Sequence, residues 1–145
     1  MQGWEPWNDF SGFNIRDGML LARASGDDPY MASPEIDIVA MEIGNVEVTM
    51  RVITAQPTIE GRVYWHASSS QDFEPGLFQT FAVRADGEFH TYRVDMAKSP
   101  LYIGDRILRL RLDPADTAAD ISIRMIRINV LCRNEQDNSC GCTPQ

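Results

Sequence analysis

The side chains of this chain that best suit ligand recognition are its tryptophans and tyrosines. They are Trp4, Trp7, Tyr30, Tyr64, Trp65, Tyr92 and Tyr102. A Trp or Tyr ring offers a flat apolar surface next to a polar group, which matches the C–H faces and hydroxyls of a sugar ring. These residues therefore indicate stacking on a carbohydrate rather than chemistry on one.

The alternation of side chains along residues 62–67 assigns each of them to one face of a strand. Val63 and Trp65 share one face, which we expect to belong to the core. Arg62, Tyr64 and His66 then point to the other face. We therefore expect a ligand to contact Tyr64 rather than Trp65.

A second group of side chains, all in the outward phase of predicted strands, is cationic. It consists of Arg51, Arg62, Arg109 and Arg111. If these guanidinium groups are adjacent, they form a ladder that can bind carboxylates, sulfates or vicinal hydroxyls in bidentate fashion. The alternative is a solvated face of cross-strand salt bridges to Glu47, Asp95 and Asp113.

Trp4 and Trp7 lie in a polar N-terminal segment that contains Pro6. Rings in such a segment either dock beneath the sandwich or stand exposed for stacking. The ligand site that we predict consists of Tyr64, His66, Arg62, Arg111 and Trp4 or Trp7. Sites on a sheet face and at the loop rim both remain open.

A catalytic pair is suggested by Glu35 and Asp37, which resemble part of the Glu-x-Asp-x-x-Glu motif of laminarinase-like glycoside hydrolases. The second glutamate of that motif is absent, because Ala40 or Val39 stands in its place. We predict no catalytic site. The enzyme alternative, a small glycan hydrolase or lyase, needs Glu35 and Asp37 to converge with His66 or His90.

The composition and net charge of the chain argue against two classes of binding partner, nucleic acids and membranes. The net charge of −8 opposes the electrostatic attraction on which nucleic acid binding depends. No apolar run approaches the roughly 20 residues that span a bilayer, so we expect no membrane insertion.

Acidic turns such as Asp27-Asp28 and Asp113 with Asp116 and Asp120 can supply oxygen ligands, so a structural calcium is a further hypothesis without an assigned site.

The three cysteines, Cys132, Cys140 and Cys142, all lie near the C-terminus. Four ligands with suitable spacing are missing, so we interpret this segment as a tail or linker with at most one disulfide rather than as a zinc site. We predict a β-sandwich domain over residues 1–131 and a Cys-containing tail over 132–145.

The elements that position these side chains are predicted to be short strands, because apolar residues recur with period two rather than with helical spacing. The predicted strands are residues 19–23, 35–39, 46–52, 62–67, 77–83, 89–96, 107–113 and 121–130. Asp86-Gly87 predicts a hairpin between the fifth and sixth strands. A phase change after Met125 predicts a β-bulge in the eighth. The fold class is all-β, a two-sheet antiparallel sandwich and most simply a jelly roll.

Three segments carry a family resemblance. They are residues 87–96 (GEFHTYRVDM), residues 108–114 (LRLRLDP) and residues 121–128 (ISIRMIRI), together with Val63-Tyr64-Trp65. They resemble the galactose-binding-like jelly-roll domains, carbohydrate-binding modules appended to bacterial glycan-active proteins. The likeness runs from Gly18 to Val130, and Met125 departs from it where related modules often have Asp.

The resemblance implies noncatalytic binding of a polysaccharide or oligosaccharide, as a targeting module of a larger glycan-active protein. It also implies an extracellular or cell-surface location. The alternative is a protein-interaction or structural β-sandwich without a sugar ligand. A surface without exposed rings favours that alternative.

Overall fold

The computed structural model describes residues 3–73, 76–98 and 106–131, and most of these lie in β-strands. The strands are β1 (Glu5–Asn8), β2 (Phe10–Arg16), β3 (Met19–Ala24), β4 (Tyr30–Ala32), β5 (Ile38–Val39), β6 (Ile43–Ala67), β7 (Phe78–Val94), β8 (Arg106–Asp113) and β9 (Ala119–Val130). Two 3-10 turns, Ala40–Glu42 and Met96–Lys98, adjoin β6 and β7. Tyr102 and the predicted tail, residues 132–145 with its three cysteines, lie outside the described residues.

The long strand β6 connects the two sheets of the sandwich. Its residues 43–53 pair with β9, and its residues 62–67 pair with β8. Strand β7 runs antiparallel along the other edge of β6 through both segments. The pairing between β6 and β7 shifts register between Ile53 and Thr58, where Pro57 removes a backbone donor. The hairpin therefore bends there and passes from one sheet into the other.

Every pairing in the described residues is antiparallel. In the sheet that we call sheet I, the order is β7 (86–94), β6 (43–53), β9, β3, β2. In sheet II, the order is β7 (78–84), β6 (58–67), β8, β4, β1, and β5 also pairs with β8. The all-β, two-sheet antiparallel architecture predicted from the sequence is confirmed.

The core lies between the two sheets and is built from their inward-facing positions. Sheet I contributes Val48 and Met50, and sheet II contributes Val63 and Trp65, each at most 1% exposed. The prediction that Trp65 packs in the core is confirmed. Because side chains alternate across a strand, Arg62, Tyr64 and His66 point to the outer face of sheet II.

The predicted hairpin at Asp86-Gly87 is wrong. Strand β7 continues through these residues, and each of its halves pairs with β6 rather than with the other half. Gly87 has φ of +79°, a conformation that serves a bend within a strand as well as it serves a two-residue turn. The Asp-Gly signal correctly located a change in backbone direction, but that change is a bend within β7 rather than a hairpin turn.

The predictions for the last strand and for the N-terminal part of the chain have different outcomes. The β-bulge in the last strand is confirmed, because Thr49 pairs with Met125 while Met50 pairs with Ile123, leaving Arg124 unpaired. The strand predicted over residues 35–39 is reduced to β5, since Asp37 has φ of +46°. The N-terminal strands β1, β2 and β4 were not predicted.

Within the described residues, no helix has both the length and the apolar character to cross a membrane.

Candidate functional site

The outer face of sheet II carries a row of side chains that crosses four strands. Tyr64 on β6 lies opposite Phe78 on β7 and opposite Arg111 on β8. The rings of Tyr64 and Phe78 have centroids 5.0 Å apart. Tyr30 on β4 completes the row by contacting Arg111. Cross-strand pairing thus assembles three rings and one guanidinium from distant parts of the sequence.

Arg111 lies between two of these rings. Its guanidinium carbon is 3.6 Å from the Tyr30 ring centroid and 4.4 Å from that of Tyr64. It also donates two hydrogen bonds of 2.7 Å to the carboxylate of Asp113 and a longer one of 3.4 Å to Asp28. Stacking and bidentate pairing together hold this guanidinium in one orientation.

The Arg111–Asp113 pair is largely buried, and this affects both pKa values. Burial lowers the pKa of Arg111, but hydrogen bonding and the charge of Asp113 outweigh that effect, so the pKa is raised. Burial raises the pKa of Asp113, and Arg111 compensates only in part. Desolvation therefore raises the pKa of Asp113 in spite of Arg111, and the ionised form of Asp113 depends on its pairing with Arg111.

A second row of rings lies beside the first. The His66 ring lies 5.7 Å from the Phe73 ring, and the Phe73 ring lies 5.9 Å from the Trp7 ring. Trp7 is 44% exposed and occupies a β-bulge where β1 pairs with β4. The bulge changes the direction of the Trp7 side chain, so that its indole contacts Phe73 over the outer face of sheet II. We call the surface formed by Trp7, Tyr30, Tyr64, Phe73 and Phe78 the aromatic face.

Two further arginines flank the aromatic face. Arg62 donates a 2.6 Å hydrogen bond to Glu60 and a 3.2 Å hydrogen bond to the Tyr64 hydroxyl, and these bonds raise its pKa. Arg109 donates one long bond of 3.4 Å to the Ser33 carbonyl. That bond is its only polar contact among the described residues, so its remaining N–H groups can reach a ligand.

The predicted site residues fall into three positions. Tyr64, His66, Arg62 and Arg111 come together on the aromatic face, and Trp7 joins them at its rim. Trp4 instead packs partly buried against the core. Tyr64 is only 9% exposed, so it serves as the floor of the face beneath Arg111 and Phe78.

The four arginines considered for a cationic ladder do not all lie on one face. Arg62, Arg109 and Arg111 share the outer face of sheet II, whereas Arg51 lies on β6 within sheet I and pairs in register with Phe89. The bend of β6 between Ile53 and Thr58 separates them. Salt bridges to acidic neighbours occur as well, as the alternative interpretation expected.

Sequence reasoning missed Phe73 and Phe78, because the candidate rings were limited to Trp and Tyr. Phe78 was detectable: a hairpin that joins residues 62–67 to the next strand places it beside Tyr64. Phe73 lies in the connection between β6 and β7, where no periodic pattern assigns a direction.

Asp37, His66 and His90, named for the enzyme alternative, each contact a different partner, and Glu35 is exposed. Asp37 accepts a 2.7 Å hydrogen bond from Arg106, and Glu35 is exposed. His90 contacts Asp86 at 2.8 Å, and His66 contacts the Ser70 carbonyl at 3.0 Å. Within the described part of the chain, no three His, Cys, Asp or Glu side chains form a group suited to a metal ion. The calcium hypothesis has no candidate cluster there.

No family model matches the chain, and no curated protein matches it. Solved structures do match. A family 11 carbohydrate-binding module of the cellulase Lic26A-Cel5E from Clostridium thermocellum aligns at a TM-score of 0.64 with 8% identity, over 93% of this chain and 92% of that one. The CBM22-1 xylan-binding domain of Xyn10C from Paenibacillus barcinonensis aligns at 0.60 with 10% identity, over 89% and 86%.

A family 29 carbohydrate-binding module from Piromyces equi aligns at a TM-score of 0.58 with 16% identity, over 88% of this chain and 80% of that one. At such identities the likeness concerns the fold. It extends over 80–92% of these three compared chains. This chain therefore has the β-sandwich jelly-roll fold of the carbohydrate-binding modules, and the aromatic face is the outer surface of one of its two sheets.

Proposed function

We propose that this chain binds a carbohydrate on the aromatic face without transforming it. The observation that carries the proposal is the pair of adjacent ring rows on one sheet. Trp7 is exposed, and Tyr30, Phe73 and Phe78 are partly exposed. Rings held at several points along a flat surface match the successive C–H faces of a sugar chain. The fold of the carbohydrate-binding modules supports the same function.

The polar groups of the aromatic face indicate a neutral ligand. Glu60 pairs with Arg62, while Asp113 and Asp28 pair with Arg111, so these two guanidinium charges are already balanced. Arg109 retains free N–H donors, which suit vicinal hydroxyls. We expect a neutral polysaccharide of the kind named for two structural neighbours, the CBM22-1 xylan-binding domain and a family 28 module specific for non-crystalline cellulose.

The wider role that follows is that of a targeting module. A domain that only binds a polysaccharide contributes by holding an attached activity close to its substrate, through a high effective concentration. We propose that this domain acts as part of a larger glycan-active protein. Because such polymers lie outside the cell, the proposed location is extracellular or at the cell surface.

The test is isothermal titration of the full chain with soluble xylan and cellohexaose, in the presence and absence of calcium. In Trp7→Ala, loss of one stacked ring is expected to weaken binding about tenfold. The matched control is Ile15→Ala, which truncates an equally exposed apolar side chain on β2 of sheet I, 48% exposed against 44%. Its affinity should stay within about twofold of the unmodified chain.

Two results contradict the proposal. One is the absence of binding to any neutral glycan in a wider array, which leaves the protein-interaction alternative. The other is equal weakening in both variants while their unfolding curves match that of the unmodified chain, which moves the site away from the aromatic face. Binding that needs calcium would locate an ion-dependent site outside the groups described above.

A further inference from the structure

The outer face of sheet I differs in chemistry from the aromatic face. Arg23 on β3 lies on this face of sheet I and pairs with Asp120 at 3.4 Å. Four further arginines come from β6, β7 and β9. They are Arg51, Arg93, Arg124 and Arg127. We call this surface the arginine face. It lies on the opposite side of the sandwich from the aromatic face, since each face is the outer surface of its own sheet.

Arg51 and Arg124 converge on one ring. The guanidinium carbon of Arg51 is 5.3 Å from the Phe89 ring centroid, and that of Arg124 is 3.9 Å away. Arg124 reaches Phe89 from the β-bulge of β9, across β6. Neither guanidinium has a salt bridge to any described carboxylate. Two like charges held at one ring repel each other, and a bound anion would relieve that repulsion.

A second cationic position lies along the same strands. Glu47 on β6 lies between Arg93 on β7 and Arg127 on β9 in register. Arg93 bonds Glu47 at 2.8 Å, which leaves Arg127 without a carboxylate partner among the described residues. Glu47 and Arg51 are four positions apart on β6, which corresponds to about 13 Å. The arginine face therefore has uncompensated positive charge at two separated points.

Hydroxyl groups lie between these two cationic positions and beside one of them. The hydroxyls of Thr49 and Thr91 lie 2.7 Å apart, midway between the two cationic positions. Ser122 lies opposite Arg51 and also lines a groove of about 250 Å³ over β3 and β2, whose lining includes the paired Arg23 and Asp120 together with Leu21 and Ile121. Gly12 leaves that groove without a side chain at one of its lining positions. The surface is thus an elongated track of hydroxyls and fixed cationic points with apolar side chains between them.

We infer that the arginine face binds a polysaccharide that carries uronate carboxylates. Guanidinium groups pair with carboxylates in bidentate fashion, and hydroxyls along the track suit the rest of a sugar chain. The separation of the charges requires an extended ligand with at least two anionic groups. The overall charge of −8 repels a polyphosphate or a duplex nucleic acid more strongly than a polyuronate, which carries one charge per sugar ring and so has a lower charge density. The choice of a glycan rests on the proposed function.

The experiment is titration of the full chain with polygalacturonate oligomers at low salt. The double variant Arg51→Gln with Arg124→Gln removes both charges at Phe89 and keeps polar side chains of similar length. The control, Arg84→Gln with Arg106→Gln, removes the same charge from two exposed residues on sheet II strands. We expect the first variant to lose at least about tenfold in affinity and the control less than about threefold.

Parallel titrations with xylan and cellohexaose separate the two proposals. If the arginine face acts independently, Trp7→Ala weakens the neutral ligands and leaves polygalacturonate binding unchanged. The inference is overturned if polygalacturonate fails to bind at low salt, or if the control loses as much affinity as the variant. Binding of dextran sulfate or DNA in preference to polygalacturonate also overturns it, because the partner is then not a uronate chain.

Discussion

Arg111 is the residue on which the aromatic face depends most. It separates the Tyr30 and Tyr64 rings and neutralises Asp113, whose side chain is 9% exposed. A buried ion pair of this kind contributes little net stability, but removing one partner leaves the other charge buried and alone. Arg111 is therefore a positioning residue, whose loss disturbs the rings and the carboxylate together.

The variant Arg111→Gln should lower the free energy of unfolding by about 3 kcal/mol at neutral pH. The pKa of Asp113 is already raised, and without Arg111 it should rise further. An acid with a raised folded pKa binds protons more tightly when folded, so stability falls as pH rises through the window above 3.8. The deficit should therefore be smaller near pH 4 than near pH 7.

Urea unfolding at several pH values measures this effect. Arg109→Gln is the control, because Arg109 makes only one long bond to a carbonyl and touches no buried carboxylate among the described residues. Its unfolding free energy should change by less than about 1 kcal/mol at every pH. A deficit in Arg111→Gln that does not depend on pH would mean that Asp113 is not its origin.

At the scale of elements, sequence patterns predicted which way side chains point better than which strands meet. Alternation correctly placed Val63 and Trp65 inside and Tyr64 outside, because the two faces of a strand differ in solvation. The change of phase in β9 likewise predicted its bulge. These properties belong to one strand and its two environments, so a single segment carries the information.

Strand pairing was harder to predict, and errors in the pairing led to errors in the candidate site. Asp86-Gly87 has the local chemistry of a tight turn, yet the bend in β7 uses the same backbone freedom. The choice between them depends on the long partner β6, about forty positions away in pairs such as Thr49 with Thr91. Arg51 was grouped with the wrong arginines for the same reason: Pro57 marks the break in β6, but the sequence does not show that the two halves of the strand lie in different sheets.

The hairpin of β6 and β7 contains a position where packing forbids a side chain. A Cβ atom on Gly61 would lie 2.5 Å from the Phe81 ring, which is held in contact with Tyr92. Gly61→Ala should therefore displace that ring and destabilise the fold by about 1–3 kcal/mol. Thermal unfolding followed by near-UV circular dichroism measures both the stability and the aromatic packing.

The matched control is Gly12→Ala in β2, where a new Cβ atom would have its nearest neighbour at 3.8 Å. It should be neutral or slightly stabilising, since alanine restricts the unfolded chain more than glycine does. If both variants lose the same stability, the loss reflects strand glycines in general rather than the Phe81 ring. Glycan binding should survive in Gly61→Ala, because Phe81 faces away from the aromatic face.

At the scale of the whole molecule, the sandwich presents two outer surfaces, one with balanced charges and one with uncompensated positive charge. On sheet II, Arg62 and Arg111 are paired with carboxylates, and rings dominate the surface. On sheet I, Arg51, Arg124 and Arg127 lack such partners among the described residues. A chain with a net charge of −8 therefore concentrates uncompensated positive charge on one side. The fold allows this separation because each sheet has its own solvent face.

Salt should therefore distinguish the two surfaces in a single molecule. Raising ionic strength from about 0.05 M to 0.5 M shortens the screening length several-fold, which weakens exposed charge pairs but not ring stacking. Affinity for cellohexaose or xylan should change by less than about twofold, while affinity for polygalacturonate should fall at least about tenfold. Titration of both ligands across a salt series measures this. If the neutral ligand is as sensitive to salt as the acidic one, the guanidinium groups of the aromatic face are not neutralised by their carboxylates, and a common cationic site must replace the two separate surfaces.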